Sequence, residues 1–194
     1  MFDSLSRLLR AAALAALAVA LFQPAARADN GGNVSVRVDI QDETVRINAE
    51  TVIAATPREV WEVLTDWENL PKFISNIAAS KVISRSDQVV RVAQTGKAGF
   101  GPFTFEFQST REMKLSPYER FESRMVAGNM KQFRGLTSLD AVEAGTRIRY
   151  QSEAVPDTVL PLGLARSTIE AETREHYLEV GREVLRRKAA VGRQ

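Results

Sequence analysis

Residues 55–73 read ATPREVWEVLTDWENLPKF, and this stretch decides where the first helix begins. Thr56 is a favourable N-cap, Pro57 suits the first helical position, and Glu59 completes a capping box with the N-cap. A Leu-Pro pair near the end of the stretch interrupts the helical pattern and restarts a shorter turn. Four apolar residues at helical spacing predict one buried face, and they are Val60, Val63, Leu64 and Trp67.

Strand patterns lie on both sides of this helix. Before it, apolar and polar residues alternate over residues 34–40 and 45–53, which predicts a hairpin that turns at residues 41–43. After it, the same alternation and the turn residues between its runs predict further strands. They cover residues 79–84, 88–95, 103–108, 120–126, 130–139 and 146–154. Residues 96–102, GKAGFGP, are predicted to form a glycine-rich loop between two of these strands.

A long helical pattern over residues 161–190 closes the chain. Its apolar and weakly polar stripe is spaced by three or four residues and consists of Leu162, Ala165, Ile169, Thr173, His176, Val180 and Val184. The order of elements is two strands, a helix, a run of antiparallel strands and one long helix, which predicts an α+β domain. A curved sheet with the long helix across its concave face encloses a space between the two.

The stretch quoted above closely resembles the first-helix signature of polyketide cyclase/dehydrase and coenzyme Q-binding proteins of the START-like (SRPBCC) superfamily. Residues 133–135 (FRG), residues 145–150 (GTRIRY) and the closing helix resemble later parts of the same pattern. The resemblance covers about residues 44–190 and is specific for the superfamily rather than for a subfamily. It implies a helix-grip fold with a deep hydrophobic cavity, whose occupants elsewhere include lipids, isoprenoid quinones, sterols and polyketides. The fold alone does not choose among these ligands.

The first residues have the three zones of a secretory signal. Arg7 and Arg10 precede an apolar run over residues 11–22, which is shorter than the roughly 20 residues of a membrane-spanning helix. The triplet Ala26-Arg27-Ala28 supplies small residues where a signal peptidase needs them. We expect cleavage after Ala28 and a periplasmic or secreted protein.

Four regions follow from these observations. Residues 1–28 are the predicted signal peptide, 29–43 a linker and an extra strand, 44–190 the START-like ligand-binding domain, and 191–194 a tail. Removal of the signal takes away three arginines and one aspartate, so the 26 basic and 24 acidic residues of the chain become 23 of each. A formally neutral chain gives no indication of nucleic-acid binding.

The inward faces of the predicted elements combine large apolar groups with isolated polar ones. The residues predicted to line a ligand cavity are Phe105, Phe107, Phe121, Met125, Phe133, Thr137, Ile148, Tyr150, Ile169, Thr173 and His176. Ser152 is a further polar group on these faces. Aromatic residues at strand spacing are equally consistent with a solid core. The family resemblance, rather than the spacing, favours a cavity.

The candidates for chemistry are few. His176 is the only histidine, which excludes a multi-histidine metal site, and a Ser-His-Asp triad would have to use it. It lies within the predicted final helix, and no Gly-x-Ser-x-Gly motif accompanies it. The chain has no cysteine, which excludes disulfides and a thiolate nucleophile. We therefore predict no metal site, no cofactor and no enzymatic activity.

The glycine-rich loop lacks the Gly-Lys-Ser/Thr ending of a phosphate-binding loop. It is interpreted as a mobile lip of the cavity, in which Phe100 contacts the ligand or, transiently, a membrane, and Lys97 faces an anionic headgroup. An ordinary hairpin connection explains it equally well.

Three functions remain open from the sequence. The first is a carrier for a lipid-like or isoprenoid molecule. The second is an aromatase/cyclase-type enzyme in which Tyr150 and His176 move protons. The third is an interaction module with a vestigial cavity. The export signal counts against the second function, because a biosynthetic cyclase normally works beside cytosolic synthases.

Overall fold

The computed structural model describes residues 33–100, 103–157 and 162–192. The predicted signal peptide lies outside these residues. One antiparallel sheet contains β1 (Ser35–Gln41), β2 (Thr44–Ile53), β3 (Ile77–Arg85), β4 (Val89–Phe100), β5 (Phe103–Ser116), β6 (Arg120–Gly128), β7 (Met130–Val142) and β8 (Gly145–Pro156). The helices are α1 (Pro57–Leu64) and α2 (Arg166–Val191), with short 3-10 turns at Trp67–Lys72 and Leu162–Ala165.

The strands lie in the order β1-β2-β8-β7-β6-β5-β4-β3, so the two ends of the sheet are the extra N-terminal strand and β3. The curved open sheet and the long C-terminal helix form the helix-grip fold that the sequence predicts. No helix of the described residues is long and apolar enough to cross a membrane.

Local sequence signals at the first helix are confirmed. The Glu59 backbone N–H donates to Thr56 Oγ1 at 3.3 Å, and the Thr56 backbone N–H donates to Glu59 Oε2 at 2.7 Å. These two bonds form the predicted capping box and satisfy donors that the helix itself leaves unpaired. Backbone interactions also lower the pKa of Glu59, with the bond from Thr56 as the largest cause.

The predicted glycine-rich loop is wrong, because β4 continues through it to Phe100. Lys97 pairs with Glu106 of β5, and Gly96 pairs with Phe107. A Cβ atom at Gly96 would lie 2.1 Å from the Asn76 carbonyl oxygen and 2.6 Å from Cζ of Phe107. Glycine is needed here because other groups approach its backbone closely, and this need has the same sequence signature as a flexible turn.

Helix α2 is anchored at both ends. Near its C-terminus, Lys188 Nζ donates to the Ala54 carbonyl at 2.6 Å, and Arg187 forms an ion pair with Asp66 at 2.7 Å. Near its N-terminus, Arg166 donates to the Val38 carbonyl of the extra strand at 2.7 Å. Because both ends are fixed, the helix spans the inner face of the sheet in one position.

A continuous apolar core lies at one end of this inner face, and we call it the packed end. Seven of its members are Val60, Val63, Leu64, Ile74, Ile148, Val180 and Val184. All except Leu64 are at most 1% exposed, and Leu64 is 8% exposed. Truncation of side chains buried this completely typically costs about 2–5 kcal/mol for a leucine. This end of the molecule therefore contributes most to its stability.

Candidate functional site

Burial changes along α2. Towards its C-terminus, Val180 and Val184 are each 1% exposed. Towards its N-terminus, Ile169, Thr173 and His176 occupy the same face of the helix, but each is only half-buried. Because these residues lie on one helical face, the direction of their side chains does not explain the difference in burial. The N-terminal half of α2 is less closely covered.

The sheet opposite this half of α2 shows the same incomplete burial. Arg111 of β5, Met125 of β6, Phe133 of β7 and Tyr150 of β8 point to the inner face and are half-buried. We call the combined set the inner lining, and it comprises Arg111, Met125, Phe133, Tyr150, Ile169, Thr173 and His176. Each of these side chains keeps part of its surface accessible on the side of the sheet that α2 covers, although Tyr150 also packs against the core.

The centre of the sheet under α2 carries small groups. Ser123 pairs with Gly135, which pairs with Ser152 on the next strand, so three small residues lie side by side across β6, β7 and β8. A Cβ atom on Gly135 would lie 2.9 Å from Ser123 Oγ. Ser152 Oγ is buried and makes no hydrogen bond of good geometry with the described residues, but it lies close enough to the Tyr150 hydroxyl to lower the pKa of that phenol. This floor therefore presents two buried hydroxyl groups and no large side chain on the inner face of the sheet.

Arg111 is at the centre of the inner lining. Its guanidinium lies 5.4 Å from the centre of the Phe133 ring, and its register partner on β6 is Met125. Arg111 Nη2 donates to Gln94 Oε1, and Gln94 Nε2 donates to Ser80 Oγ at 3.1 Å. Burial lowers the pKa of Arg111 from its ordinary value. The residue stays protonated, because an arginine pKa is far above neutral pH.

The polar groups around Arg111 are neutral. Burial, followed by the charge of Arg111, lowers the pKa of His176 to about 4, so its imidazole is uncharged at neutral pH. Burial raises the pKa of Tyr150 and, more strongly, that of Tyr177, so both phenols keep their protons. The Tyr150 and Tyr177 rings lie 5.8 Å apart, and the His176 and Tyr177 rings 5.2 Å apart. The cluster contains one cation surrounded by neutral donors and acceptors.

Some predicted cavity residues belong elsewhere. The Phe121 ring packs edge-on against Trp61 of α1 at 6.0 Å, and Ile148 is 1% exposed in the packed end. Thr137 is also buried, at 4% exposed. Phe107 is half-buried and packs against the core, whereas Phe105 is 39% exposed near the end of the β4–β5 hairpin. Alternation identifies the inner face correctly, but it does not say how closely each position is covered.

The predicted lip residues lie in paired strands. Lys97 is exposed on β4, and its backbone N–H donates to the Asn76 carbonyl at 3.0 Å. Phe100 is the last residue of β4 and pairs with Phe103. The side chain of Phe100 lies outside the described residues.

Sequence reasoning missed Arg111, Gln94 and Tyr177. For Arg111 a signal was present, because it is in phase with Phe105 and Phe107 along β5. A charged residue in phase with an apolar face is uncommon and marks a candidate site. For Tyr177 the sequence signal was weaker. Tyr177 follows His176 of the predicted apolar stripe, and a residue beside the stripe is buried only when the helix contacts the sheet over a broad face.

A second concavity lies on the outer face of the sheet, with a volume of about 670 Å³, and it opens to solvent. Its walls carry a cross-strand row of charges. Glu112 pairs with Arg124 at 3.1 Å, and Glu153 pairs with Arg134 at 3.0 Å and with Arg46 at 3.1 Å. These charges are already neutralised in pairs and are hydrated. The concavity is therefore unsuited to an apolar molecule.

Metal chemistry has no evident site among residues 33–100, 103–157 and 162–192. In these ranges no three side chains of His, Cys, Asp or Glu are arranged so that they could hold a metal ion.

The site geometry agrees with a family match. Residues 53–179 match the family model described as polyketide cyclase / dehydrase and lipid transport. The chain belongs to this family. The match includes the first helix, strands β3 to β8 and the inner-lining half of α2, but it excludes β1 and all of β2 except Ile53. A comparison with curated proteins gives no match.

Several solved structures have the same fold as this protein. The Zhui aromatase/cyclase from Streptomyces sp. R1128 has a TM-score of 0.65 and 16% identity, over 77% of this chain and 98% of its own. The STAR-related lipid transfer protein from Xanthomonas axonopodis has a TM-score of 0.60 and 20% identity, over 80% and 94%. The protein TTHA0849 from Thermus thermophilus has a TM-score of 0.61 and 19% identity, over 72% and 97%. Likeness at this identity shows the common fold alone.

Proposed function

We propose that this protein binds a hydrophobic small molecule between α2 and the sheet and carries or sequesters it. The observation that carries the proposal is the contrast in burial along α2, in which Val184 is 1% exposed and His176 is half-buried. A core that served stability alone would be closed at both ends, since unfilled space under a helix lowers stability. A ligand that fills the space recovers those contacts.

The chemistry of the inner lining supports the same function. Met125, Phe133 and Ile169 offer apolar surface, while a few polar groups stand among them, and this is the usual composition of a small-molecule site. The fold is shared with a protein named as a lipid transfer protein, which supports a carrier role for this chain.

The proposal is tested by native mass spectrometry of protein purified without detergent, followed by lipid extraction. We expect a bound apolar molecule and a rise in melting temperature when a lipid or quinone is added to the emptied protein, because a ligand that binds only the folded state stabilises it. Protein that is empty as purified and whose melting temperature no member of a lipid and quinone panel changes would overturn the proposal.

A second candidate function is an aromatase/cyclase-type reaction. The specific observation in its favour is the cluster in which one cation, Arg111, lies beside the proton-carrying groups of Tyr150 and His176. A guanidinium can stabilise the negative charge that develops on a carbonyl oxygen, and a neutral imidazole can accept a proton. Turnover of a poly-β-ketone thioester that is lost in both Arg111→Met and His176→Gln would establish this function. Binding without turnover would leave the carrier function.

We also propose that the protein works outside the cytoplasm, because residues 1–28 have the pattern of a cleavable signal. The intact mass of protein secreted from its own type of cell is expected to correspond to a chain that starts at Asp29. A mass that includes residues 1–28 would contradict this proposal.

A further inference from the structure

The guanidinium of Arg111 has fewer partners than its position requires. It donates one hydrogen bond, to Gln94, and its Nε atom is buried with no hydrogen-bond partner among the described residues. Arg111 also takes part in none of the ion pairs found in the described parts of the chain. An arginine presents five N–H donors, so most of its binding capacity is unused.

This arrangement is costly for the empty protein. A buried charge is normally paired, because its removal from water is otherwise uncompensated. Burial is the largest influence on the pKa of Arg111, and the other groups that influence it are the phenols of Tyr150 and Tyr177. Both phenols are protonated at neutral pH, because burial raises their pKa values. His176 is neutral as well. No side chain of the inner lining supplies the missing negative charge.

The arginines of the outer face show the contrast. Arg124 is exposed and pairs with Glu112 at 3.1 Å, and Arg134 is exposed and pairs with Glu153 at 3.0 Å. These two arginines are paired with carboxylates, although water alone could solvate their charges. Among the described residues, no carboxylate forms an ion pair with Arg111, whose Nε is buried. Residues 33–100, 103–157 and 162–192 therefore supply no anionic partner for Arg111, and a bound ligand can take that place.

We propose that the ligand of this site is an amphiphile with a single carboxylate, which binds Arg111 while its apolar body lies against Met125, Phe133 and Ile169. This inference rests on the proposed function and names its ligand class. A planar carboxylate fits a guanidinium through two parallel hydrogen bonds, which are stronger than bonds between neutral groups.

The site fits one negative charge better than two. Arg111 is the only cation of the inner lining, and the groups near it are neutral. A phosphate monoester would bring a second charge into the same space without a partner, which is unfavourable in a buried site. Ser152 Oγ is buried on the small-residue floor beside the Tyr150 hydroxyl, makes no hydrogen bond of good geometry with the described residues, and can donate to a carboxylate oxygen.

The test compares ligands of equal chain length and different head groups. The probes are hexadecanoate, hexadecan-1-ol and methyl hexadecanoate, each below the concentration at which it aggregates, and the measurement is the Kd for the wild-type protein. We expect hexadecanoate to bind at least about tenfold more tightly than the two neutral probes, since a charge-assisted pair in a buried site is worth at least that factor.

Variants locate the effect. Arg111→Met is expected to remove the preference for hexadecanoate, Arg111→Lys to keep part of it, and Arg124→Met on the outer face to keep all of it. Because Arg111→Met removes an unpaired buried charge, we expect the melting temperature of the empty variant to be equal to or higher than that of the wild type. A purely structural arginine would instead lower it.

The outcomes separate the two proposals. Equal binding of all three probes, unchanged by Arg111→Met, would overturn the carboxylate proposal and leave the binding function standing. Absence of binding by every probe, together with no copurified apolar molecule, would overturn both. A preference for hexadecanoate that persists in Arg111→Met would place the carboxylate elsewhere and would also contradict this inference.

Discussion

The packed end and the inner lining of this protein treat charge in opposite ways. Glu183, close to Val184 on α2, accepts hydrogen bonds from Arg186 and Arg187 at 2.7 Å each. These interactions, with the bond from Arg186 first, lower its pKa to about 2. Arg111 in the inner lining is half-buried, its Nε is buried, and it forms no ion pair with a carboxylate among the described residues. Charged side chains are thus paired in the packed end, where they stabilise the fold. In the inner lining a charged side chain is left for a ligand to pair with.

The difference in packing gives the largest expected effect. Leu64→Ala in the packed end is expected to lower the free energy of unfolding by about 2–5 kcal/mol, because it leaves a void among close-packed neighbours. Met125→Ala in the inner lining is expected to cost about 1 kcal/mol or less in the ligand-free protein, because few atoms lie opposite its side chain. Urea unfolding of both variants measures the contrast. Equal losses would mean that the inner lining is packed like a core.

The two regions are expected to lose stability in different pH ranges as the solution is made acidic. The folded protein resists protonation of His176, whose pKa falls from 6.5 to about 4, so the unfolded chain binds more protons between these values. Stability is therefore expected to fall as pH drops from 6.5 to 4, by at most roughly 3 kcal/mol. Glu183 acts in a lower window, because its stabilisation is lost only as pH falls from 4.5 towards 2. Unfolding measured against pH shows both.

The matched control for the acid experiment is His176→Gln. The difference in unfolding free energy between this variant and the wild type is expected to change between pH 6.5 and pH 4 and to be constant above pH 7. Parallel curves over the whole range would show that His176 is accessible to water in the folded protein.

The glycine-rich part of β4 is expected to tolerate substitution poorly, although its glycine content suggests a flexible segment. Gly96→Ala is expected to cost about 1–3 kcal/mol, because the new methyl group would meet the Asn76 carbonyl and the Phe107 ring. Thermal unfolding measures the change, and Gly163→Ala is the control, since nothing lies within 4 Å of a Cβ atom there. A neutral result at Gly96 would restore the interpretation of this segment as a loose loop.

The smallest effect is expected at the entry to α1. Thr56→Ala removes the side-chain half of the capping box and is expected to cost about 1 kcal/mol. Thr56→Ser keeps the hydroxyl and is expected to retain most of the stability. An equal loss in both variants would mean that the methyl group, rather than the cap, holds the start of the helix.

The sequence predicted those parts of the fold that depend on local chemistry. The capping box at Thr56 and the alternation through β1 and β2 each follow from neighbouring residues, and both are confirmed. The strand through Gly96 was missed because the group that requires a glycine, the Asn76 carbonyl, is distant in the chain. Local patterns do not report such approaches.

The site was predictable only in part for the same reason. Alternation placed Phe121, Phe133 and Ile148 on one face, but only the path of α1 and α2 determines that Phe121 and Ile148 are packed while Phe133 is not. The missing ion pair at Arg111 depends on three-dimensional arrangement in the same way, because only the fold shows which of the described side chains surround it.

The most direct test of ligand binding in the inner lining is a nuclear Overhauser measurement on protein with labelled methyl groups and bound hexadecanoate. Three methyl sites report on three places: Met125 in the inner lining, Val184 in the packed end and Leu136 in the outer concavity. If the ligand lies between α2 and the sheet, its hydrocarbon chain is expected to contact Met125 but neither Val184 nor Leu136. Contacts to Leu136 alone, or none to Met125 at saturation, would contradict this expectation.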